Sequence, residues 1–193
     1  MALSAAVPAS AQNALTLYGG YRGGGSFQQT VNSTTQATAD LCSGGAGALS
    51  FDWAIDAARN GQVFTSTQRA TLQLAPGSQP SSVPLNVTYL HLGGTNFFEG
   101  KAGEGGYVSG GLGATFMSPQ QAGLVSEVRP SISIGLGYEL PINPSLSLRM
   151  ELRGYATLIN SSGAFFCNGG CVVVVHGDSL LQADALVGLS LRF

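Results

Sequence analysis

One short run of the sequence sets a histidine, a carboxylate and a hydroxyl side by side: His176, Asp178 and Ser179 in HGDS. These are the residue types of a hydrolase or acyltransferase, where a histidine takes the proton of a serine nucleophile and a carboxylate orients the histidine. Neighbours on an extended chain point in different directions, and a triad is defined by geometry rather than by order, so no catalytic residue is expected here. The other histidine, His91, has no His, Cys or carboxylate at metal-ligand spacing and reads as a packed side chain; neither a metal nor a cofactor is expected. Cys167 and Cys171, in CNGGC, are separated by two glycines that let the chain fold back, and in an exported protein they read as a loop disulfide. Cys42 is left over, and its pairing with either of the others stays open.

The remaining candidates are charges, which are scarce. Charged residues make up 9% of the chain, against about 25% in ordinary domains. The chain has 28 glycines, about twice the usual share, and its mean hydropathy is positive. With 8 Lys+Arg against 10 Asp+Glu, and Lys101 the single lysine, no basic stripe exists to neutralise phosphates, and nucleic-acid binding is not expected. No run of about 18 apolar residues is present to form a membrane helix. A chain this apolar that crosses a membrane must therefore cross it as strands.

The pattern of the apolar residues agrees. In SLSLRMELRGYATL, Leu146, Leu148, Met150, Leu152, Gly154, Ala156 and Leu158 alternate with Ser147, Arg149, Glu151, Arg153, Tyr155 and Thr157. Ordinary strands average about five or six residues, whereas a tilted strand needs about 9 to 11 to span a bilayer. The same period of two runs through LTLYGGYRG, LSFDWAID, GYVSGGLGATF, PSISIGLGYEL and the final LQADALVGLSLRF, where Leu186 is the single exception. Two further segments are ambiguous: QVFTSTQRATLQL is polar on both faces, and in LNVTYLHLGGTNFF either Tyr89 and His91 or Leu90 and Leu92 point outward. Short turns alternate with longer connections, the longest being 26–46 and 160–178.

Eight antiparallel strands with this asymmetry predict an all-β fold, an eight-stranded up-and-down transmembrane β-barrel over residues 12–193. An arginine on the lipid face near the midplane costs about 2–4 kcal/mol, so the charges on the polar phase are assigned inward: Arg22, Asp52, Asp56, Glu139, Arg149, Glu151, Arg153, Asp184 and Arg192. An eight-stranded interior is only wide enough to be filled by side chains, so these residues predict a compensated polar plug. Tyr18, Tyr21, Trp53, Tyr138 and Phe193 read as interfacial girdle aromatics. A soluble lipocalin-like barrel would need the opposite phase and far more surface charge. At the start, residues 1–11 end in Ala-Ser-Ala before Gln12, which fits a signal-peptide remnant or a disordered N-terminus.

The ending VGLSLRF, with Val187, Leu189, Leu191 and Phe193 at alternate positions, resembles the C-terminal signal of Gram-negative outer-membrane proteins. In that family the barrel-assembly machinery reads this signal. Together with YLHLGGTNFFEG, GGYVSGGLGATFMSP and ELRGYATLINSSGAFFCNGGCVV, it makes residues 13–193 resemble the small OmpA-like or porin-family outer-membrane barrels. The resemblance implies a bacterial outer-membrane location, periplasmic termini, extracellular long loops, and outer-membrane lipids and lipopolysaccharide as surroundings. It says little about activity, because such barrels serve as anchors, adhesins, channels and enzymes. The expectation is a non-enzymatic monomer with a structural or surface-interaction role, acting on an unidentified surface ligand through its loops. A narrow channel for small solutes is the alternative, with a lipid A-modifying enzyme behind it.

Overall fold

The computed structural model describes residues 13–32, 35–73, 81–121, 123–159, 164–165, 173–174 and 179–193. Its strands are β1 (Ala14–Gly23), β2 (Gly25–Asn32), β3 (Thr35–Leu41), β4 (Gly44–Ala54), β5 (Arg59–Gln73), β6 (Ser82–Phe97), β7 (Gly105–Pro119), β8 (Glu127–Asn143), β9 (Leu146–Leu158), β10 (Ala164–Phe165), β11 (Val173–Val174) and β12 (Ser179–Arg192). β2 prolongs β1, and β3 runs into β4. With β5 to β9 and β12 they form eight antiparallel staves. The last stave pairs with the first, from Ala14 opposite Arg192 to Gly23 opposite Ala183. Beyond that register, Asn13 and Phe193 exchange both backbone hydrogen bonds at 3.0 Å. The result is a closed eight-stranded antiparallel barrel, and closure removes the edges on which further strands could add.

Register fixes the size of the barrel. Paired residues lead around the wall from Leu15 through Phe51, Val63, Leu92, Leu112, Ile132 and Ala156 to Leu181. Continuing the β12–β1 register, Leu181 falls opposite residue 25 of the first stave, so the circuit closes with a stagger of ten residues. Eight staves leave an interior that side chains fill. Because paired residues share a face, this row is also a belt of outward apolar side chains, with Leu92 63% and Leu112 70% exposed. Residues one position away on each strand point inward.

The turns follow local chemistry. Asp56 accepts the backbone N–H of Ala58 and Arg59 (2.9 and 2.8 Å), and Asn143 accepts those of Ser145 and Leu146 (3.0 and 2.8 Å). Each is a side-chain cap of a tight turn. Between β6 and β7, Gly100, Gly103 and Gly105 have φ of 74°, 85° and 85°, a region that only glycine occupies cheaply. That turn packs on the β4–β5 turn, where Ala102 donates to the Ala57 carbonyl (2.6 Å).

Three expectations need correction. Most of 26–46 is not loop, because β2 and β3 pair with each other, and β3 meets β5 at Asp40 and Leu41. Pairing the two arms satisfies backbone groups that a polar loop would leave to water. Asp56 is not in the lumen: β4 ends at Ala54, so the alternation no longer governs its direction, and it caps an exposed turn. Tyr18 is not a girdle residue but a buried lumen side chain, while Tyr21, Tyr138 and Phe193 are exposed on the outside. Residues 1–11, Cys167, Cys171, His176 and Asp178 lie outside the described residues, whereas Ser179 is exposed at the start of β12.

Candidate functional site

The buried polar side chains converge on the lumen, in layers that the stagger sets. Nearest the short turns, Arg149 Nη1 donates to Asp52 Oδ2 (2.9 Å) and its Nε lies 3.5 Å from Glu139. Arg192 donates to Glu139 (3.1 Å) and to the Gly103 carbonyl (2.5 Å), which ties the β6–β7 turn over this end. One step further in, Gln62 donates to Asp52 (2.8 Å) and accepts from Arg153 (2.7 Å). Arg153 also pairs with Glu151 (2.5 Å), whose carboxylate accepts the hydroxyls of Tyr107 (2.7 Å) and Ser109 (3.0 Å). β9 and β5 stand on opposite sides of the barrel, so the Arg153–Gln62 bond is a strut across the lumen.

Above this layer, Arg22 from β1 grips Asp184 of β12 with two bonds, at 2.5 and 2.8 Å. Ser66 and Tyr155 complete the carboxylate, each donating at 2.8 Å. The Tyr89 and Tyr155 rings stack at 4.0 Å, and the Arg22 guanidinium lies 4.7 Å from the Tyr89 centroid. Tyr89 and His91 therefore face inward and Leu90 and Leu92 outward. His91 Nε2 meets the Ser131 hydroxyl at 2.8 Å, and both are buried.

At the long-loop end the filling turns apolar. Leu41, Leu72, Val83, Leu85, Val87, Met117, Ile159 and Leu180 form one buried cluster inside the barrel. Nothing in the alternation of β9 or β12 announces it, and three of its members, Leu72, Leu85 and Val87, come from the two ambiguous segments.

Eight of the nine charges assigned inward thus meet one another: Arg22, Arg149, Arg153 and Arg192 face Asp52, Glu139, Glu151 and Asp184. The ninth, Asp56, pairs with exposed Arg59 at 2.5 Å. That side-chain contact, aided by the Ala58 N–H, holds the Asp56 carboxyl below the usual carboxylate range. Lys101 does the same for Glu104 in the neighbouring turn. The uncharged members of the network, Gln62, Ser66, Tyr107 and Tyr155, were not foreseen, since their roles depend on which staves face each other.

At the other sites the structure holds little chemistry. Among the described residues no group of three or more His, Cys, Asp or Glu is placed to hold a metal. Cys42 is half-buried and has no disulfide partner among the described residues. Val187, Leu189, Leu191 and Phe193 all stand exposed on the outer wall.

No protein-family model matches the chain, and no curated protein sequence matches it. Solved structures do match: the chain is similar in fold to Neisserial surface protein A, with a TM-score of 0.60 at 11% identity over 94% of this chain and 97% of that one. The outer membrane protein AlkL in lipid bilayers gives 0.58 at 11% identity over 95% and 90%. OprG from Pseudomonas aeruginosa gives 0.58 at 12% over 95% and 97%. At these identities the likeness defines the fold class, that of the small outer-membrane barrels, and no more.

Proposed function

We propose that the chain is a sealed bacterial outer-membrane barrel, a monomeric anchor that carries its long-loop end to the cell surface for contact with other molecules. The observation that carries this reading is the lumen, where a buried ion pair crosses from β9 to β4 and another joins β1 to neighbouring β12, with an apolar layer above them. A continuous water path would have to part charges whose loss of a partner costs about 3–5 kcal/mol. The outer belt supports membrane insertion, with termini on the periplasmic side and insertion by the barrel-assembly machinery through the exposed ending at Phe193. The reading as a non-enzyme rests on the described Ser–His contact, Ser131–His91, being sealed within the lumen.

Purified protein in planar lipid bilayers should give no reproducible unitary conductance. Stepwise, ion-selective openings would favour the narrow channel instead. Heating should shift its mobility on a denaturing gel, as the unfolding of a detergent-resistant barrel does, and a protein that dissolves as a monomer without detergent would exclude the membrane reading altogether.

A further inference from the structure

The outer face of the barrel is not uniform. Along β8 the outward side chains are apolar almost from end to end, from Ile142 to Val128. Along β5 the only outward apolar residue is Val63; Thr65, Thr67, Arg69 and Thr71 follow it toward the long-loop end. β6 behaves in the same way, with Leu92 and Leu90 giving way to Thr88 and Asn86. The Thr67 and Thr88 hydroxyls meet across the strand pair at 3.0 Å.

The stagger of ten residues over eight staves puts Ala156, four staves away, within about one residue of the level of Thr67. On that far wall Leu158 and Leu181 are exposed and apolar at this height or above it. At matched height, one wall presents hydrocarbon and the other presents hydroxyls and a guanidinium. Arg69 is exposed and has no ion-pair partner among the described residues. An outward arginine is tolerated only where the hydrocarbon ends. Nearer the long-loop end the inner face is inverted as well: beyond Ser66 and Gln68 on β5 and beyond Tyr89 on β6, Ala70, Leu72, Val83, Leu85 and Val87 are buried there. Apolar inside and polar outside is the polarity of a wall that meets a polar medium.

We infer that the head-group layer of the long-loop leaflet descends along the β5–β6 wall, and that Arg69 with Thr67, Thr71, Thr88 and Asn86 binds the head group of a phosphorylated glycolipid. A single guanidinium matches a single phosphate. Hydroxyl and amide groups spaced along two strands both donate and accept, which suits the hydroxyls of a saccharide. This inference rests on the membrane reading above.

Two measurements test it. In nanodiscs of phosphatidylcholine doped with a monophosphorylated glucosamine glycolipid, native mass spectrometry should find the glycolipid retained in preference to phosphatidylcholine and to phosphatidylglycerol. In Arg69→Gln its retention should fall about tenfold. Retention that ignores the substitution, or phosphatidylglycerol held equally well, would overturn the glycolipid site.

For depth, tryptophan is placed by Thr67→Trp or Ala156→Trp in a Trp53→Phe background and quenched with brominated lipids. The Ala156→Trp probe should lie deeper than the Thr67→Trp probe by on the order of 10 Å. Equal depths would overturn the displaced boundary while leaving the membrane reading intact. Quenching of neither probe would overturn the membrane reading itself.

Discussion

β8 and β9 differ from β5 and β6 in how they divide polarity between their two faces. Every inward position of β9 from Ser147 to Thr157 is polar, and these side chains supply two of the four lumen arginines. Its outward positions are small or apolar throughout. β5 and β6 hold to that rule only in their turn-proximal halves, where Val63, Leu90 and Leu92 point out and Gln62 and His91 point in. Toward the long-loop end they reverse it, β6 beyond Tyr89 and β5 beyond Gln68 on its inner face, with the outer face of β5 already polar from Thr65. One wall is therefore suited to hydrocarbon over its full height, and the other over about half. The lumen reflects the same division, ionic where the membrane wall is complete and apolar where the wall faces a polar medium.

The largest effect should come from the ionic half. Asp184→Ala leaves the Arg22 guanidinium buried without its carboxylate, and unfolding in urea from lipid vesicles should show a loss of about 3–5 kcal/mol. In the apolar half, Leu85→Ala removes a fully buried side chain and should cost about 2–5 kcal/mol in the same assay, with the lumen still non-conducting. The sharpest comparison puts one charge on each outer wall. Ile134→Arg, midway up β8, should cost about 2–4 kcal/mol, whereas Thr67→Arg on β5 should cost about 0–1 kcal/mol. Equal costs would erase the distinction between the walls.

The smallest effect concerns the exposed turn. The folded Asp56 carboxyl is held low, so its contact with Arg59 is present at neutral pH and fades only as pH falls through that lowered value. Arg59→Ala should move the NMR titration of Asp56 back up toward the ordinary carboxylate range, with no change in the unfolding midpoint at neutral pH.

This division also explains what was legible beforehand. Strands that keep one polarity sense, such as β9 with its seven alternating apolar positions, revealed their lipid face, their lumen face and the ionic residues between. In β5 and β6 the period of two persists but its sense flips midway, so each face averages to mixed polarity. For the same reason the apolar layer of Leu72, Val83 and Leu85 could not be anticipated. Asp56 was misplaced by extending an alternation past the end of its strand. The cross-lumen pairings were invisible for a different reason. Which residues meet across the barrel is decided by closure and stagger, and neither Gln62 nor Tyr107 carries a local sign of it.

The central claim is that the lumen is sealed around its arginines. Hydrogen exchange of the arginine Nε–H groups, followed by NMR in lipid nanodiscs, reports on it directly. Sealing predicts that Arg22, Arg149 and Arg153 exchange orders of magnitude more slowly than exposed Arg59 and Arg69. If all five exchanged at one rate, the lumen would be open to water and the plugged anchor would be contradicted.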